Sequence, residues 1–126
     1  MKNKIEKTIF KIILLVVHLV ATMNLYSQKP ANGTYTYKIA FDEWGGKSMG
    51  CTCVVKIIGD SITIINNGSL SGYKGEIIDQ GIIIQHIKTG KWIIAHAPKD
   101  KNAKDVGGCG DGPHVIDFKH KVFWLC

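Results

Sequence analysis

The chain has 126 residues, with sixteen lysines, no arginine and ten acids, for a formal charge of +6. Without arginine there is no bidentate grip on phosphate or guanine, and the lysines are scattered, which argues against a nucleic-acid partner. The 99–104 stretch comes nearest to a basic cluster, but Asp100 and Asp105 interrupt it, as in a solvated loop.

At the N-terminus, Lys2, Lys4, Lys7 and Lys11 precede an apolar run over 12–21, and the chain then turns polar through Asn24 and Ser27. That order is the secretory signal-peptide pattern. The run is shorter than the roughly 20 residues a membrane-spanning helix needs. Cleavage is expected after Ser27, although Leu25 is larger than the usual residue at its position. Residues 1–27 are therefore read as a signal peptide and 28–126 as one exported domain, periplasmic or extracellular, with no membrane association after cleavage. Beyond residue 27 the balance is twelve lysines to nine acids. A domain this small buries only about 60–65 % of its unfolded surface, so covalent staples would matter.

Beyond the leader, short runs rich in Ile, Val, Thr, Tyr and Trp alternate with Gly, Asn and Asp, and no helical period is sustained. Strands are expected near 34–41, 51–58, 61–66, 75–79, 82–88, 91–97, 114–118 and 121–125. The predicted fold is all-β: an antiparallel meander of about 7–8 strands, closed as a small barrel or folded as a sandwich. Strand number and spacing resemble a lipocalin-like or streptavidin-like barrel. The resemblance is architectural and carries over neither residues nor activity.

Two turns set expected registers, and a third hairpin is expected without one. Gly59-Asp60 suits a two-residue hairpin that pairs Ile57 with Ile62, Val55 with Ile64 and Cys53 with Asn66. Cys51, Cys53, Val55, Ile57, Ile62 and Ile64 then share the inward face, because Lys56 belongs to the other. Thr89-Gly90 predicts Ile87 opposite Trp92 and Ile83 opposite His96, with His86 and His96 on opposite faces. Asp79-Gln80-Gly81 is expected to be a third hairpin turn.

All four cysteines, Cys51, Cys53, Cys109 and Cys126, lie after the leader. An even number in a small exported domain points to two disulfides. Residues two apart on one strand face are at the edge of disulfide reach, so Cys51 and Cys53 are expected to bond separately to Cys109 and Cys126. The alternative is a zinc or copper site from Cys51, Cys53 and Cys109, with His114 as a fourth ligand. The Cys-x-Cys spacing on a strand fits it poorly, and no cofactor is expected. A redox Cys-x-x-Cys at a helix start is absent from the sequence.

Catalytic patterns are equally sparse. The 68–72 stretch GSLSG is offset from a nucleophile elbow and reads as a turn. The glycine-rich run 106–114 lacks the Lys-Ser/Thr ending of a phosphate loop and instead frees the backbone for Cys109 to reach a partner. His120 reads as an exposed turn residue, and Trp92 and Trp124 as core or interface residues. Asp42, Glu43 and Trp44, on a flexible loop, are the candidate ligand-binding residues, since barrel mouths often present such groups; Trp44 folded back over the core is the simpler expectation. The expected function is an exported, non-catalytic β-domain that binds a small molecule or a protein. An enzyme with a site spread over loops 42–50 and 98–113 is the other alternative.

Overall fold

The computed structural model describes residues 2–23 and 28–126. The expected cleavage point, after Ser27, lies outside the described residues. A helix, α1, spans Lys2–Met23. Its apolar side chains from Ile5 to Val17 are exposed and so do not belong to the core. Among the described residues no helix is long and apolar enough to cross a membrane.

Seven strands follow: β1 (Gly33–Phe41), β2 (Thr52–Ile58), β3 (Ser61–Asn66), β4 (Ile77–Gln85), β5 (Trp92–Ala95), β6 (Ile116–Asp117) and β7 (Val122–Leu125). They form one mixed sheet in the order β5-β4-β3-β2-β1-β7-β6. A single bridge between Ile93 and Val115 links β5 to the residue before β6, so the sheet is nearly closed into a barrel. Every consecutive pair from β1 to β5 is antiparallel, as is β6 with β7, while β1 and β7 run parallel.

That parallel pair corrects the all-antiparallel expectation, and parity explains it. Strands that alternate up and down close antiparallel only if their number is even. Residues 77–85 form one strand where the sequence suggested two separated by a turn, so the total is odd and the first and last strands point the same way. Gly81 lies mid-strand because a β-carbon there would fall on the Ala95 carbonyl oxygen. It marks a close backbone approach, the other meaning of an isolated strand glycine.

The β2–β3 hairpin has the expected register, including Cys53 opposite Asn66 and Val55 opposite Ile64. Gly59 takes φ 60°, and Asp60 stays out of the left-handed region, the combination a type II′ turn needs. Asn32 Oδ1 accepts from Gly59 N at 2.8 Å, and Lys29 pairs with Asp60, fastening the segment before β1 to this hairpin. The β4–β5 register differs from expectation: Ile83 pairs with Ile94 and Gln85 with Trp92. The ladder's last bond is His86 N to Lys91 O, so the loop holds four residues instead of two. A shift of two preserves the facing, and His86 and His96 do lie on opposite sides of the sheet.

The core is the barrel interior. Tyr37, Ile39, Cys53, Val55, Ile57, Ile62, Ile64, Ile94 and Phe123 are at most 2 % exposed. Phe118 meets Tyr37 edge-on, with ring centres 6.5 Å apart, and Trp92 at 5.8 Å. Each fully buried aliphatic contributes about 1.5–3 kcal/mol of transfer free energy. This mutual burial, more than strand propensity, holds the sheet in its curve.

Candidate functional site

The rim at the end of β1, β3, β5 and β7 carries the long loops, and the opposite rim carries the short turns. Cys109, on the 96–115 loop, bonds to Cys126, just past β7, with Cα atoms 4.6 Å apart. Cys51 and Cys53 are free thiols. This corrects the expected pairing, in which each strand cysteine would take one of the other two. The reason is topological: β7 rises beside β1 to the rim over which the 96–115 loop passes, so its end arrives next to Cys109. Gly107 and Gly108, at φ 68° and 67°, give the loop the backbone course it needs there.

Cys53 is buried in the core, and burial pushes its thiol up to about 12, against a smaller opposing effect from a hydrogen bond with the Tyr37 backbone. Cys51 is half-buried, its Sγ 3.6 Å from Ser69 O. The two thiols therefore differ in access to reagents. In the native protein a thiol reagent is expected to label Cys51 and spare Cys53 until denaturant is added. The intact mass should lie two hydrogens below that of the fully reduced chain; a deficit of four would contradict this pairing.

With Cys109 in a disulfide, the alternative metal set of Cys51, Cys53, Cys109 and His114 is not assembled. Among the described residues no group of three or more His, Cys, Asp or Glu side chains is placed to hold a metal ion.

Two arrangements were not legible in the sequence. The first is centred on Asp79, 7 % exposed. Its Oδ2 lies 2.6 Å from His114 Nδ1 and its Oδ1 2.7 Å from His96 Nε2. Burial alone would raise this carboxyl; the hydrogen bonds from His114 and His96, with their charges, outweigh it and hold the group below its ordinary value. The cluster joins β4, the end of β5 and the segment leading into β6, so it clasps the barrel where closure is weakest. His114 also packs edge-on against Phe123, with centroids 5.3 Å apart. Neither histidine lines the cleft described next.

That cleft, of about 460 Å³, is the second arrangement. Below the Ile93–Val115 bridge, β5 and β6 part, and the cleft opens at this seam. Its walls include Trp92, Phe118 and Val115, with Trp124 on the outer face of β7. Strand alternation directs Trp124 outward because Phe123 points into the core. Gly46 lies over the Trp124 ring: a β-carbon there would come within 3.0 Å of it. At the long-loop end the cleft reaches Asp42 and Gly108, so loops 42–50 and 98–113 do meet.

Of the three residues proposed for ligand binding, Asp42 lines the cleft and Glu43 and Trp44 do not. Trp44 packs on Phe41 with centroids 4.9 Å apart and remains 50 % exposed. His120 is an exposed turn residue, its Nδ1 2.7 Å from Asp117 Oδ2. The 68–72 stretch is a loop organised by buried Asn66, whose Oδ1 accepts from Gly68 N at 2.9 Å.

No protein-family model, curated protein or solved structure matches the chain.

Proposed function

We propose that residues 28–126 form an exported, non-catalytic β-domain, periplasmic or extracellular, that holds a small molecule in the seam cleft. The supporting observation is a cleft of about 460 Å³ whose lining includes Trp92, Phe118 and Trp124, at the β5–β6 joint where the barrel is left partly open. Its volume is within the roughly 300–1,000 Å³ typical of small-ligand sites, and apolar walls with a few polar groups at the margin are the usual composition of such sites. Lipocalin-like and streptavidin-like barrels offer an architectural parallel, in which a closed wall of strands serves as a rigid frame for a ligand. Export is supported by the lysine-rich, then apolar leader.

The test uses the neutral, flat fluorophore N-phenyl-1-naphthylamine. Saturable binding at one molecule per chain is expected. Trp124→Ala should weaken it about tenfold or more, the range for loss of an aromatic anchor. Trp44→Ala should leave it unchanged. No saturable binding, or loss with Trp44→Ala alone, would overturn the proposal.

A further inference from the structure

The two turns flanking the lower mouth of the cleft have a one-sided charge. Residues 86–91 and 118–121 carry Lys88, Lys91, Lys119 and Lys121 and not one acid. Lys91 and Lys119 line the cleft itself, one from each turn. Asp117, the nearest carboxylate in the lining, is already engaged: it accepts from the His120 backbone N at 3.0 Å and from its ring at 2.7 Å. The other acid in the lining, Asp42, is at the opposite end, beside Gly108. The lower mouth thus carries two lysines of the lining against one hydrogen-bonded carboxylate, with Trp92 and Trp124 farther along and the second carboxylate, Asp42, at the top.

Gathering like charges on two adjacent turns works against the folded state, and nothing in the barrel's packing requires lysine at these exposed positions. A bound anion would offset that repulsion. We infer that the ligand of the seam cleft is an amphiphilic anion: a flat apolar body against Trp92 and Trp124, with its negatively charged end between Lys91 and Lys119. This inference rests on the small-molecule function proposed above. Lysine suits the task, since an ammonium on a flexible stem meets an anion as a point charge without demanding planar, bidentate geometry.

Two probes of similar shape test it on the full domain. N-phenyl-1-naphthylamine is neutral, and 1-anilinonaphthalene-8-sulfonate adds one sulfonate. The sulfonate probe should bind more tightly, and its affinity should fall as salt rises to about 0.5 M, where the Debye length is only a few ångströms. Lys91→Gln/Lys119→Gln should weaken the sulfonate probe about five- to tenfold, as expected for two partly screened charge contacts, and change the neutral probe less than about twofold. If both probes bind equally and the double variant does not separate them, the anion inference fails while the cleft remains a binding site. If neither binds, the cleft proposal fails and the inference falls with it.

Discussion

Asp79→Ala is expected to lower the stability of the domain by about 2–4 kcal/mol. The substitution removes a buried carboxylate and leaves two imidazoles without the acceptor that positions them. The lower part of that range reflects the exposure of the His96 side chain, at 63 %. For a domain of this size the loss corresponds to a fall in Tm of roughly 10–25 °C. Asp79→Asn keeps the shape and one acceptor oxygen, and should fall between the wild type and alanine.

The pH dependence has a definite sign. The Asp79 carboxyl titrates lower in the folded chain than its ordinary value. Its contribution is therefore fully present above the unfolded value of about 3.9 and is lost as pH falls through the folded value. The asparagine variant lacks this titration, so the stability gap between it and the wild type should narrow in acid. Urea unfolding at a series of pH values measures the gap, and a gap that widens in acid would contradict the assignment.

Cys109→Ser is expected to cost about 3 kcal/mol. The disulfide closes a separation of 17 residues, and in the chain-entropy model a loop of about this length restricts the unfolded ensemble by that amount. Cys51→Ser should change stability by less than about 1 kcal/mol, because the residue is half-buried at the edge of the core and a serine hydroxyl can replace its one hydrogen bond, to Ser69 O. Thermal unfolding of both variants separates the observed pairing from the one suggested by the sequence, in which losing Cys51 would be as damaging as losing Cys109.

Local signals carried the parts of the fold that are locally determined. A two-residue loop at Gly59-Asp60 sets a register by itself, so the β2–β3 hairpin and its inward face could be read residue by residue. The Asp79-Gln80-Gly81 stretch misled because its residues are chosen by distant partners. Asp79 is tolerated inside a strand by two histidines 17 and 35 residues away, and Gly81 is required by the backbone at Ala95. Missing that strand changed the parity, and with it both the parallel β1–β7 pair and the route that brings Cys126 to Cys109. The cleft was hidden for a related reason. It lies where β5 and β6 separate, and only closure brings Trp92, Trp124, Lys91 and Lys119 to one place. A lone aromatic in a loop singled out Trp44, whereas the strand tryptophans, Trp92 and Trp124, line the cleft.

The three tryptophans, Trp44, Trp92 and Trp124, make the seam-cleft assignment directly testable. In a titration of the isotope-labelled domain with N-phenyl-1-naphthylamine, followed by the indole N–H signals in NMR, the Trp92 and Trp124 resonances should shift together and saturate at one equivalent while Trp44 stays in place. A shift of Trp44 alone, or saturable binding that moves none of the three, would contradict the assignment of ligand binding to the seam between β5 and β6.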